Sequence, residues 1–208
     1  MNDNDNDNDT KLQAALDALH SADYAERNSA FKLLTELEDP RALPALMDLL
    51  RAPDWLVQMS SASTLGEIGD IQAVAPLIDA LESEECLVIQ EAALALGKIG
   101  DVRAIPALID VLRSEELCSL YDREDGEAKT FYNVIALAQF EVEIRGVRTA
   151  AAGALGMIGD EEAIDGLVEA LHDMHPTSVN DTAALALEQI GTPEALAAVA
   201  AWREVWGR

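Results

Sequence analysis

The hydrophobic positions recur with a helical period and then recur again as a block. Leu65 to Leu81 reads LGEIGDIQAVAPLIDAL, Leu96 to Leu112 reads LGKIGDVRAIPALIDVL, and Leu155 to Leu171 reads LGMIGDEEAIDGLVEAL. Looser copies begin at Leu34 (LTELEDPRALPALMDLL) and Leu187 (LEQIGTPEALAAVAAW). The leading leucines lie 31, 31, 59 and 32 residues apart, and the 59 is one repeat plus 28 inserted residues. Fixed-period self-similarity of this size marks a stacked repeat architecture. Within each block an amphipathic helix ends at Gly69, Gly100, Gly159 or Gly191, each suited to a left-handed residue just past a helix end. Asp39, Asp70, Asp101, Asp160 or Thr192 follows as the cap of a second helix, worth about 1 kcal/mol. Pro40 and Pro193 stand at the first helical position, where no amide bond is lost.

The pattern predicts second helices near 40–51, 71–82, 102–113, 161–172 and 193–206, with positions such as Ala104, Ile105, Leu108, Ile109 and Leu112 buried. Val57, Val88, Val147 and Val179 sit eight residues before the repeat leucine and set the register of the first helices. Small residues between them, as in Ala150, Ala151, Ala152 and Ala154, allow neighbouring helices to approach closely. One hairpin cannot cover its own apolar faces, so hairpins must stack. The expected architecture is an all-α solenoid of about five hairpins over residues 10–208. A helix near 10–20 caps one end through Leu12, Leu16 and Leu19, and Trp202 and Trp206 close the other.

These blocks resemble the short HEAT-like repeats of the phycobilisome-lyase family, whose unit is close to VRxxAAxALGxIGDxxAIPxLIxxL. The resemblance covers roughly residues 24–206 and implies a right-handed α-solenoid. That family includes bilin lyases, bilin-handling proteins and adaptors, so it also implies two functions: a protein-binding scaffold, or a lyase or chaperone of tetrapyrrole attachment. The arginine after the valine survives as Arg148, with Arg27 in the first repeat, and is replaced by Gln58, Ile89 and Asn180. A ladder of Arg–Asp contacts between repeats should therefore be incomplete.

Composition narrows the partners. There are 39 acidic and 14 basic residues, a net charge of −25, and only four of the bases are lysine. Such a field repels nucleic-acid phosphate and anionic membrane surfaces, and leaves basic partners, cations or solubility as its uses. Acid excess with scarce lysine also resembles the composition of proteins from salt-accumulating halophiles, notably halophilic archaea. Residues 2–9 alternate Asn and Asp, so the segment 1–9 is expected to be a disordered acidic tail. It has no basic or apolar leader pattern, and no apolar run approaches a membrane span, which gives a cytoplasmic expectation. Cys86 and Cys118 lack CxxC spacing and are read as reduced.

No nucleophile elbow, phosphate loop or dinucleotide fingerprint appears. His172 and His175 with Asp173 fall short of a zinc set, and no cofactor is expected. Two candidate binding surfaces remain. Asp48, Asp79, Asp110 and Glu169 occupy equivalent positions on the second helices and form either an acidic groove for a basic peptide or a plain solvated face. The insertion at about 114–141 holds Tyr121, Phe131, Tyr132 and Phe140, four of the chain's nine aromatics. Exposed aromatics commonly anchor interfaces, yet Phe131 and Phe140 could equally fold back onto the fourth repeat. An insertion of this length costs only about 1.5 kcal/mol in loop closure.

Overall fold

A computed structural model of the chain describes residues 3–114, 146–173 and 178–206. Its described residues are helical hairpins in series. The helices are α1 (Asp3–Ala18), α2 (Tyr24–Leu37), α3 (Leu43–Leu49), α4 (Trp55–Ile68), α5 (Val74–Ala80), α6 (Cys86–Ile99) and α7 (Ile105–Arg113). They continue with α8 (146–158), α9 (Ile164–Leu171), α10 (Ser178–Ile190) and α11 (Pro193–Trp206). Hairpins α2/α3, α4/α5, α6/α7, α8/α9 and α10/α11 are the five repeats of an α-solenoid. The leading leucines Leu34, Leu65, Leu96, Leu155 and Leu187 are all fully buried, as are Val88, Val147 and Val179.

The turn inside each hairpin follows from its sequence. Gly69, Gly100, Gly159 and Gly191 take φ near +70°, and each amide closes onto the leucine carbonyl four residues back at 3.0–3.1 Å. The first repeat makes the same turn with Glu38 at φ 47°, a left-handed conformation for a residue with a Cβ. The following aspartate then caps its second-next amide: Asp39 accepts from Arg41 N–H, Asp70 from Gln72, Asp101 from Arg103 and Asp160 from Glu162, at 2.8–2.9 Å. These caps head a single 3₁₀ turn (Pro40–Ala42, Ile71–Ala73, Val102–Ala104 and Glu161–Ala163) before the α-helix proper. The fifth repeat has Thr192 instead. Its hydroxyl accepts from Ala195 N–H one residue further along, and α11 starts directly at Pro193.

The stacking distance is set by small side chains on the first helices. A Cβ added to Gly66 would lie 2.7 Å from the Cα of Ala95. The equivalent distances are 2.8 Å from Gly97 to Ala154 and 2.8 Å from Gly156 to Ala186. The LGxIGD motif thus carries two different glycines. The second ends the helix, as the sequence indicates, and the first is the seat of the next repeat. At the first junction Thr35 and Thr64 replace the pair, each hydroxyl bonded back to its own helix. In the last repeat Glu188 stands at the glycine position, bridged to Arg203 at 2.7 Å.

Three expectations are corrected. The tract 3–9 is the start of α1 rather than a disordered tail. Leu12, Ala15 and Leu19 anchor that helix, and extending a formed helix needs no new nucleus. Lys11–Asp7 at 2.6 Å and Arg41–Asp9 at 2.9 Å then tie down the extension. Trp202 is buried with Ala195 and Val199 on one stripe of α11, but Trp206 is 52% exposed. It lies in the part of α11 that runs past the point where the other second helices stop. Cys86 is buried in a disulfide rather than reduced; Cys118 lies outside the described residues. CxxC spacing is not needed for pairing where the fold brings sequence-distant residues together.

The contact glycines give the first prediction. Gly97→Ala drives a methyl into the backbone of α8 and should cost about 1–3 kcal/mol. Gly153→Ala, whose added carbon would meet only the Thr182 methyl at 3.9 Å, should stabilise by about 0.5–1 kcal/mol. Urea unfolding of the full chain distinguishes the two.

Candidate functional site

The four acids of the second-helix column are exposed and in register, Asp48 on α3, Asp79 on α5, Asp110 on α7 and Glu169 on α9. They are not equivalent. Arg51, three residues after Asp48, reaches Asp79 of the next repeat at 2.9 Å. Arg113, three residues after Asp110, grips Glu169 through two bonds of 2.7 and 3.0 Å. Hydrogen bonding from Arg113 holds the Glu169 carboxyl below its ordinary range. Asp48 and Asp110 have no ion pair among the described residues. The second-helix surface therefore alternates paired and unpaired carboxylates, where the sequence pointed to an unbroken acidic column. The acid-x-x-Arg spacing that predicts the pairing was present in the sequence.

A second polar column joins the repeats through their first helices. Arg27 donates to the carbonyls of Ser21 and Ala22 and pairs with Asp54 at 3.1 Å. Gln58 donates to Ala52 O, and Asn180 to the carbonyls of Ala170, Leu171 and Asp173. Arg148 donates to Leu112 O at 2.7 Å and pairs with Asp173 at 2.6 Å, both side chains only 13% exposed. In each case the side chain satisfies carbonyls at or just past the end of the preceding helix, which its own helix leaves unpaired. Ile89 supplies no such group. The ladder is incomplete, and its polar replacements retain the capping role while losing the ion pair.

Arg148 has a particular place. It lies just after the insertion and binds the end of α7, which precedes it, so the third and fourth repeats remain neighbours. Gly97 against Ala154 and Gly166 against Ile109 complete that junction. The aromatic candidates Tyr121, Phe131, Tyr132 and Phe140 lie outside the described residues, as does His175. His172 turns its ring Nδ1 to the Val168 carbonyl at 2.9 Å. Among the described residues there is no group of three or more His, Cys, Asp or Glu side chains able to hold a metal ion, and no helix long and apolar enough to cross a membrane.

On the hairpin-turn edge, Arg103 forks onto Asp101, and its side-chain and backbone donors lower that carboxyl to about 2. Arg41 does the same for Asp39, held below the usual carboxylate range. Further along this edge the arginines are replaced by Glu162 and Glu194, which with Glu161, Asp165 and Thr192 line an open cleft of about 490 Å³. Sequence reasoning also passed over the opposite edge, where Tyr24, Trp55 and Leu87 are exposed at the starts of α2, α4 and α6.

The chain matches HEAT repeats over residues 12–85, 72–117, 124–188 and 142–204, and it belongs to the HEAT-repeat family. Among solved structures, it is similar to an engineered protein at 22% identity, with a TM-score of 0.50 over 99% of this chain and 87% of that one. It is also similar to the complex of CpcE and CpcF of phycocyanin lyase from Nostoc sp., at 24% identity and a TM-score of 0.49 over 90% and 79% of the two chains. Human deoxyhypusine hydroxylase, in complex with glycerol, gives 19% identity and a TM-score of 0.48 over 97% and 92%. No curated protein matches the sequence. At these identities the likenesses speak to fold alone.

The two kinds of arginine should behave differently on removal. Arg148→Ala leaves a buried carboxylate and a helix-end carbonyl without their donor and should cost about 2–4 kcal/mol. Arg113→Ala removes an exposed pair and should cost less than about 1 kcal/mol. Thermal unfolding of both variants at one salt concentration checks the contrast.

Proposed function

We propose that this chain is a non-catalytic protein-binding scaffold whose partner is cationic. The observation that carries the reading is the continuity of the stack. The side-chain contacts that join repeats three and four bridge an insertion of 28 residues, so the repeats offer one unbroken surface, the form in which solenoids bind other chains. Along that surface Asp48 and Asp110 are carboxylates available to a partner, while Asp79 and Glu169 are already held by arginine. The insertion, with Tyr121, Phe131, Tyr132 and Phe140, is a second place where such a partner could be held. Its tyrosines combine an apolar body with a polar tip.

The test separates the two surfaces. Residues 116–140 are deleted, helicity is confirmed by circular dichroism, and partners are recovered from lysate of the source organism at its own salt concentration. A folded deletion that loses its partners places binding in the insertion. One that keeps them places binding on the repeats, and a chain that recovers none in either form refutes the scaffold reading. The phycobilisome-lyase resemblance brings a second reading, tetrapyrrole attachment, which requires a visible-absorbing pigment on the purified protein or on its partner.

Charge supplies an independent expectation. At −25 the chain repels itself in dilute buffer, which opposes the compact state. The melting temperature should rise as KCl is taken from tens of millimolar to molar. A flat melting curve series would contradict adaptation to high salt.

A further inference from the structure

We propose that the edge formed by the starts of α2, α4 and α6 is a docking ridge for an extended cationic segment of a partner protein, with Tyr24 and Trp55 as its anchors. This deepens the scaffold reading and rests on it. Tyr24 and Trp55 are 31 residues apart, the same place in successive repeats. Each is the first residue of its helix, after the capping aspartates Asp23 and Asp54. They are 54% and 37% exposed. Leu56 closes a shallow notch with Tyr24, Arg27, Asn28 and Phe31. Leu87, one repeat on from Leu56 and 44% exposed, stands in the same relation to Trp55. The ridge ends there, because the next aromatic position is the buried Cys86 and the next leucine position is Gly146.

The charge along this edge selects the occupant. Asp23, Glu26, Asp54, Glu82, Glu84 and Glu85 flank the ridge, and its cations Arg27 and Arg51 are committed to Asp54 and Asp79. Aromatic faces beside surplus carboxylates are the chemistry that holds guanidinium and ammonium groups. The Tyr24 ring already takes the Arg27 guanidinium at 6.0 Å from its centroid. Among the described residues no cation lies over Trp55. Adjacent helices pack about 8–10 Å apart, and an extended polyproline-type chain returns to the same face every three residues, about 9 Å. A segment with arginine at every third position therefore fits successive anchors.

The probe is the peptide (Arg-Pro-Ala)₃, with (Glu-Pro-Ala)₃ as its control, titrated calorimetrically into the full chain at fixed salt. The arginine peptide should bind and the glutamate peptide should not. Tyr24→Ala combined with Trp55→Ala should weaken binding about tenfold with no change in net charge, whereas Asp48→Asn combined with Asp110→Asn should leave it nearly unchanged. Should the aromatic variant be poorly folded by circular dichroism, Leu87→Lys, an exposed change on the same ridge, is expected to give a comparable loss. Binding that survives Leu87→Lys or the aromatic pair, or that is lost only in the Asp48/Asp110 variant, overturns the ridge while leaving the scaffold reading standing. Failure of the arginine peptide to bind at all also overturns the ridge; the deletion experiment then judges the scaffold reading independently.

Discussion

The contact between a glycine on one first helix and the backbone at an alanine on the next fixes everything else in this molecule. Gly66, Gly97 and Gly156 leave no room for a single added carbon, so three successive junctions share one spacing. A fixed spacing puts the polar column of Arg27, Gln58, Arg148 and Asn180 within reach of the preceding helix ends. It also puts Arg51 and Arg113 within reach of acids one repeat on. Wherever the small pair is replaced, at Thr35/Thr64 and at Glu188, the replacement meets its own hydrogen-bonding needs close by.

Much of the fold was legible because the chain states it five times. Helix ends, caps and the register of the core could be read from Gly-Asp turns and repeating leucines. What escaped was information that one repeat does not contain. The two glycines of LGxIGD look alike in sequence and differ only in what lies across from them. Residues 3–9 have the composition of a disordered tail, and the anchoring of Leu12, Ala15 and Leu19 overrode it. Trp206 looked like a lid, and the overhang of α11 left it exposed.

The candidate site was legible only in part. The acids of the second helices were identified by position, but their neutralisation by an arginine three residues away in the preceding repeat is a cross-repeat relation that single-helix reasoning does not follow. Tyr24 and Trp55 share the 31-residue period and could have been found by it. They were overlooked because aromatics near a helix start read first as core. The buried Arg148 also repays a structural view: in sequence it is a surviving family residue, and in the fold it is the clasp that lets a long insertion leave the array and return without separating two repeats.

The two layers of the solenoid are joined by different materials. First helices meet through methyl groups and backbone in hard contact, which neither stretches nor responds to solvent. Second helices are linked, at two of the junctions, by long exposed side chains carrying opposite charge. Such an array has one stiff edge and one compliant edge, like a book with its spine glued and its pages held by weak clips. Flexing should open the second-helix side and leave the spine intact. Because ions in solution loosen the clips, the curvature presented to a partner is coupled to the salinity around the protein.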